Sequence, residues 1–335
     1  MTGNIKWGII GCGDVTEVKS GPAFNKVPGS ELVAVMRRDA AKAKDYAERH
    51  GVPTYYHEAQ LLIDDPEINA IYIATPPGSH EAYTMAAIAA GKPVYVEKPM
   101  ALNFAAALKI TKAAAANDVK LVVAHYRRAQ PFFNKIKSLT DEGVIGKIRK
   151  ADLVFNRIAM TPDEMANPAK AWRVDPAISG GGLFHDMAPH QLGLMLYYFG
   201  AVRSANGSAK NTNDLYSAHD TVAGNILFEN GVEFQGSWNF NAPADADECM
   251  IHGDGGTISF AVFGNQDIII DTGGGQERIS FTAPQHVQQP MIEKTVQYFS
   301  GKAENPCPPE EGCEVMRLME LFTENQGIDT RMLQI

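Results

Sequence analysis

Three groups of residues in this 335-residue chain have types and spacings that could do chemistry. The first is Gly11-Cys12-Gly13, continued by Asp14-Val15-Thr16 and opening directly after the apolar run Ile5–Ile10. A Gly-x-Gly turn between a strand and a helix lets backbone approach a pyrophosphate and offers it free N–H groups. The third position of that fingerprint is Thr16 rather than Gly or Ala, so taken alone the pattern also suits a plain structural turn. The second group is Glu97-Lys98-Pro99, after the short apolar run Pro93–Val96. It puts an amine at the carboxyl end of a predicted parallel strand, where open α/β sheets bind their ligands. Partial burial beside a cationic nicotinamide would suit such an amine to proton transfer near neutral pH. The third group is Asp186 with His190, four apart on the predicted helix Phe184–Phe199 and therefore on one face. An imidazole so placed can take a proton from a carbinol hydroxyl while hydride leaves the same carbon. The carboxylate could orient that ring or bind a neighbouring hydroxyl. Read one at a time, a strand-end lysine also suits a solvated position, and the Asp/His pair a surface pair or a cap.

The second predicted strand bears on the cofactor. Leu32–Met36 ends in Arg37-Arg38, with Asp39 as the nearest acid. A carboxylate about 20 residues past the glycines usually holds the ribose 2′-hydroxyl of NAD. An arginine there has a 2′-phosphate as its natural partner, so NADP(H) is expected ahead of NAD(H). The bland alternative is a solvated pair at a strand end. Of Arg127 and Arg128, one is expected to bind substrate or cofactor, Arg127 being taken for substrate, and the other to be structural. His185 and His190, five apart, lie on different helix faces, and no Cys or carboxylate set completes a metal site, so no metal is expected. Cys12 reads as a small space-filler.

These residues need elements to position them. Up to about residue 124, short β-rich runs (Ile5–Ile10, Glu31–Met36, Ala70–Ala74, Pro93–Val96, Lys120–Ala124) alternate with helical patterns (Val15–Lys26, Ala40–His50, Ser79–Ala90, Phe104–Asn117). Such alternation implies right-handed crossovers and a parallel sheet. After a helical stretch at Gln130–Glu142 come alternating segments: Lys147–Ile158, Thr221–Phe228, Val232–Phe240, Thr257–Phe263 and Asp267–Ile270. The fold class expected is α/β, with a parallel nucleotide-binding domain over 1–124. A second α/β domain over 125–335 would carry a large, mostly antiparallel open sheet. Alternation puts Phe234 and Trp238 on one face, and that face, read as the open apolar one, is expected to pair copies into a homodimer or higher oligomer.

Composition narrows the partners. The net charge of −9 and the absence of a basic block argue against nucleic acid or an anionic membrane. No apolar run reaches the ~18 residues of a membrane span. The first residues carry no secretory h-region, and the four cysteines form no framework, so a cytoplasmic location is expected.

Further motifs carry a family resemblance over nearly the whole chain. Ala74-Thr75-Pro76-Pro77 with His80 stands at the end of the run Ala70–Ala74, Glu97-Lys98-Pro99 follows Pro93–Val96, and Trp172-Arg173 and Ser179-Gly180-Gly181-Gly182-Leu183-Phe184-His185-Asp186-Met187-Ala188-Pro189-His190 come later. Together they resemble the glucose–fructose oxidoreductase / inositol dehydrogenase (Gfo/Idh/MocA) family. The resemblance implies a Rossmann domain followed by an α/β domain with a large open sheet. It implies Lys98, Asp186 and His190 as the catalytic set; these three and Arg127 are expected to touch substrate. Trp172 and Arg173 match positions that contact the nicotinamide end in some members. With the readings above, the expected cofactor contacts are Gly11, Gly13, Asp14, Val15, Arg37, Arg38, Thr75, Pro76, His80, Glu97, Lys98, Trp172 and Arg173. The resemblance also favours a cis Lys98–Pro99 bond. Arg37 stands where the inositol dehydrogenases carry Asp, a departure that bears on NAD against NADP. The function so implied is an NAD(P)-dependent oxidoreductase acting on the carbinol or carbonyl of a sugar, cyclic polyol or related compound. Two alternatives stand beside it: a glycosidase that uses NAD(P) for transient oxidation, and a non-catalytic cofactor sensor.

Overall fold

The computed structural model describes residues 3–324. Its contacts divide the chain into two units, residues up to 130 with 284–314, and residues 131–283 with those from 315 on. The sequence division at 124/125 differs mainly in the segment 284–314, which here returns to the first unit. That return is held by backbone and buried polar bonds: Val123 N–H donates to the Cys307 carbonyl at 3.0 Å. Gln130 Nε2 donates to the Val287 carbonyl at 2.9 Å, and Arg128 is ion-paired with Glu311.

The first unit runs β1 (Ile5–Ile10), α1 (Asp14–Val18), β2 (Ser30–Met36), α2 (Ala40–His50), β3 (Thr54–Tyr56), α3 (Ala59–Asp64), β4 (Ala70–Ile73), α4 (His80–Ala89), β5 (Val94–Val96), α5 (Phe104–Ala116) and β6 (Leu121–Val123). The strands form one parallel sheet in the order β3-β2-β1-β4-β5-β6. β4, β5 and β6 are buried at every residue, as expected when both faces of a sheet are covered. Trp7, Phe24, Tyr72, Tyr95 and Phe299 pack as one aromatic cluster, Tyr72 and Tyr95 stacking at 5.1 Å. α1 is much shorter than the predicted Val15–Lys26. The chain leaves the helix at Ser20 (φ −131°), and Pro22, which has no N–H to continue the helical ladder, lies inside the 3-10 turn Gly21–Ala23. β3 is absent from the sequence reading because three residues at a sheet edge carry no readable period.

The second unit runs α6 (Pro131–Asp141), β7 (Ile148–Asn156), α7 (Pro162–Ala166), α8 (Pro168–Ala171), α9 (Pro176–Ser179), α10 (Leu183–Phe199), β8 (Val202–Lys210), β9 (Thr221–Phe228), β10 (Glu233–Asn239), β11 (Ala246–Gly253), β12 (Gly256–Phe260), β13 (Asp267–Thr272) and β14 (Gly275–Ser280). The chain then continues into α11 (Gln289–Phe299) of the first unit and α12 (Pro309–Thr323). The sheet order is β14-β13-β12-β11-β7-β10-β9-β8, antiparallel except between β7 and β10.

Along β10, Phe234 and Trp238 are buried while Glu233, Gln235 and Ser237 are exposed. Burying one side chain of phenylalanine size stabilises by roughly 1.5–3 kcal/mol, which decides which face of the strand is covered. The two aromatics therefore belong to the core and not to the open face expected of them from the sequence, which is largely polar. Trp238 Nε1 donates to Gln191 Oε1 at 2.7 Å, tying β10 to the mid-turns of α10. No helix among the described residues is long and apolar enough to cross a membrane, and all four cysteines are buried free thiols.

Candidate active site

In the first unit the strand order reverses between β1 and β4. Open α/β sheets bind ligands outside the carboxyl ends of their strands at such a reversal. The loops after those two strands adjoin there. Gly11 has φ +96°, and a Cβ on it would lie 2.7 Å from Thr75 Cγ2 and 2.8 Å from Thr75 N, so glycine alone fits. Gly11 N–H and Cys12 N–H both donate to the Met36 carbonyl, at 2.9 and 3.1 Å. A Cβ on Gly13 would meet nothing nearer than the Gly11 carbonyl at 4.0 Å, so the space over this residue is open to a ligand. Thr16 is fully buried, and its hydroxyl donates to the Gly13 carbonyl at 2.7 Å. The unusual third fingerprint residue thus braces the loop. Asp14 and Val15 follow as the first residues of α1. An open backbone turn at the strand reversal fits the pyrophosphate of a dinucleotide.

Arg37 leaves the end of β2 half-buried, with Nη1 donating to the Cys12 carbonyl at 3.3 Å. Its guanidinium therefore lies against the glycine loop. Arg38 is exposed. Asp39, the nearest acid, accepts from Lys42 N–H at 3.1 Å as the N-cap of α2. A cap is the ordinary use of aspartate at that position.

Lys98 is half-buried just past the end of β5, and its bond to Pro99 is cis. The side chains around it are engaged inside the unit. Fully buried His80 sets Nδ1 2.9 Å from the Pro99 carbonyl and Nε2 2.7 Å from the Thr75 carbonyl. It braces the loop after β4 against the Lys98–Pro99 turn, and burial holds its proton affinity below the usual histidine range. Glu97 is buried, its Oε1 accepting from Tyr72 Oη at 2.6 Å and Gln288 Nε2 at 2.5 Å. The sequence puts His80 and Glu97 among the cofactor residues, and in the structure these polar atoms have partners within the unit. Thr75 Oγ1 accepts from Ser79 Oγ at 2.8 Å, and Pro76 beside it is exposed. Arg127 stands on the turn after β6 with its guanidinium 5.6 Å from the Tyr126 ring centre.

The second unit carries the remaining candidates. The turn Ser179–Gly182 leads into α10, and Ser179 Oγ accepts from Gly182 N–H at 2.9 Å. One helical turn on, Asp186 Oδ2 accepts from Arg173 Nε at 3.2 Å. The Arg173 guanidinium also lies 4.6 Å from the Trp172 ring centre, so Trp172, Arg173 and Asp186 form one group. His190, one turn further, is 7% exposed, with the Phe263 ring edge-on at 5.4 Å between centres. Its neighbour His185 is buried, and desolvation pushes its proton affinity down to about 4. The residues that sequence reasoning missed are Tyr72 and Gln288 around Glu97, and Gln191 beside His190. Tyr72 reads as an ordinary strand aromatic, and no local pattern marks a glutamine nearly 200 residues away.

Residues 5–125 match the family described as the oxidoreductase family with an NAD-binding Rossmann fold (GFO_IDH_MocA). Residues 133–259 match the GFO/IDH/MocA C-terminal domain. The chain is 48% identical over 322 residues to "Oxidoreductase P35" of Formosa agariphila, covering 96% of this chain and 99% of that protein. It is 28% identical to the trans-1,2-dihydrobenzene-1,2-diol dehydrogenase of Macaca fuscata fuscata, over 72% of this chain and 69% of that one. In fold it is similar to levoglucosan dehydrogenase in complex with NADH and levoglucosan, with TM-score 0.84, 20% identity, and coverage of 95% and 96% of the two chains. With both domains matched in order over the open glycine loop and the Glu97-Lys98-Pro99 turn, the chain belongs to the Gfo/Idh/MocA family of NAD-binding oxidoreductases.

Proposed function

We propose that this oxidoreductase transfers hydride between NADP(H) and the carbinol or carbonyl carbon of a sugar, cyclic polyol or related compound. When bound, the nicotinamide supplies the hydride acceptor or donor. The backbone of Gly11–Val15 would hold the pyrophosphate, and Arg37 with Arg38 the 2′-phosphate. Lys98 and His190 hold or move the carbinol proton, and Asp186 orients the neighbouring hydroxyls or the imidazole.

The observation that carries the cofactor reading is Arg37, whose Nη1 lies 3.3 Å from the Cys12 carbonyl while Asp39 caps α2. An arginine already laid against the glycine loop suits a phosphate dianion better than a free hydroxyl. The substrate class rests on the family and on relatives named for diol and anhydrosugar oxidation. A panel of sugars, anhydrosugars and cyclic polyols with NADP and with NAD, followed at the reduced-nicotinamide absorbance, tests both. Sugar release from a glycoside without net cofactor change would instead favour the transient-oxidation glycosidase.

Self-association through the open sheet face belongs to the same proposal. Val154 (39% exposed) and Met250 (40% exposed) lie there among polar side chains, a mixture common at interfaces between soluble partners. Light scattering at micromolar concentration decides it, a monomer mass counting against it.

A further inference from the structure

Glu97 lies at the centre of a buried polar array for which the proton-transfer scheme has no use. Residues two apart in a strand share a face, so Glu97, continuing from β5, emerges on the same side as Tyr95. β4 pairs with β5 so that Tyr72 stands beside Tyr95. The start of α11 meets these residues: Tyr95 Oη donates to Gln288 Oε1 at 2.9 Å. That bond sets the Gln288 amide so that Nε2, which can only donate, faces Glu97. Glu97 Oε1 then accepts from Gln288 Nε2 at 2.5 Å and from Tyr72 Oη at 2.6 Å. Glu97 Oε2 accepts from the backbone N–H of Lys98 at 3.3 Å. A protonated acid would waste this arrangement, since amide donors face both oxygens. Burial raises the proton affinity of Glu97, while Tyr72, Gln288 and the charge of Lys98 oppose that rise.

We propose that Glu97 is a positioning residue for Lys98, held as a carboxylate by Tyr72 and by Gln288, so that the returning segment 284–314 completes the support of the lysine. The reach from Gln288 to Glu97 spans 191 residues of sequence. The buried carboxylate accepts from the first backbone N–H after β5 and so fixes the turn that carries the Lys98 side chain. The proposal rests on the proton-handling role assigned to Lys98.

The first test needs neither substrate nor cofactor. Lys98 is acetylated with acetic anhydride at pH 7, its rate read by peptide mass spectrometry against exposed Lys112. Glu97→Gln should accelerate labelling of Lys98 about threefold or more, because weakening the bond to its backbone N–H loosens the turn that holds the amine half-buried. Tyr72→Phe removes one donor and should act in the same direction by less, which keeps the test available should Glu97→Gln fold poorly. An unchanged Lys98-to-Lys112 ratio in both variants overturns the proposal. The second test uses turnover. Glu97→Gln should lower kcat by about tenfold, with KM and cofactor Kd within about twofold. The double variant Glu97→Gln with Gln288→Glu rebuilds a carboxylate–amide pair with the charge moved off residue 97. It should recover Tm and leave kcat low; recovery of kcat along with Tm would reduce the array to a structural role. If no carbinol supports turnover in the wild type while Glu97→Gln still alters Lys98 labelling, the dehydrogenase reading fails and the positioning of Lys98 stands.

Discussion

Arg173 donates from Nε to Asp186 Oδ2 at 3.2 Å, and its Nη1 donates to the Ala169 carbonyl at 2.9 Å. The guanidinium therefore ties the short α8 to the first turn of α10 and sets the direction of the Asp186 carboxylate. Lysine cannot make both bonds from one planar group. Arg173→Lys should lower turnover by roughly tenfold through Asp186, and combining it with Asp186→Asn should cost little more than Asp186→Asn alone. Steady-state kinetics of the two single variants and the double variant measure this coupling; fully additive losses would contradict it.

The proposed function gives Lys98 and His190 each a part in handling the carbinol proton. Lys98→Met should leave cofactor affinity nearly unchanged while lowering turnover by ~10²-fold or more, the usual scale of general acid–base assistance. His190→Asn should lose turnover by a smaller factor, and the two losses should not add. Cofactor binding measured by calorimetry alongside kcat separates the effects. Wild-type turnover in Lys98→Met with cofactor bound would take the proton-handling role away from Lys98.

Cofactor preference follows from the guanidinium at the end of β2. NADP(H) should bind more tightly than NAD(H), and Arg37→Asp should narrow or reverse the difference by about tenfold or more. A carboxylate there repels the 2′-phosphate and accepts from a ribose hydroxyl. Equal calorimetric affinities for both cofactors in the wild type would end this assignment.

Stability should depend on pH through His185. Burial, with His219 nearby adding to it, lowers its proton affinity from the ordinary 6.5 to about 4. The unfolded chain therefore binds the extra proton first as the pH falls. Stability present above about pH 6.5 is lost progressively down to pH 4, by at most about 3 kcal/mol for a shift of this size. His80, fully buried and shifted the same way, adds to the trend. Denaturant midpoints at pH 7 and pH 4.5 should differ less in His185→Gln than in the wild type; identical differences would place the pH dependence elsewhere.

Patterns that depend on neighbours in the chain were legible in the residues themselves. The glycine loop, the Glu97-Lys98-Pro99 turn, the four-residue spacing of Asp186 and His190 and the alternation of strands and helices are all local patterns. The runs that bury side chains on both faces, such as β4 and β5, announce themselves by composition. β8 (VRSANGSAK) and β14 (GQERIS) do not, because edge strands carry polar residues and leave little apolar period to read. Alternation paired Phe234 with Trp238 on one face, but only the packed helices decided that this face is the covered one. Tertiary structure alone brought Gln288 beneath Glu97, turned His80 onto two backbone carbonyls and laid Arg37 against Cys12. A hydrogen bond across 191 residues leaves no trace in local periodicity, because its partners are chosen by which buried donors and acceptors would otherwise be unsatisfied once the whole chain has packed.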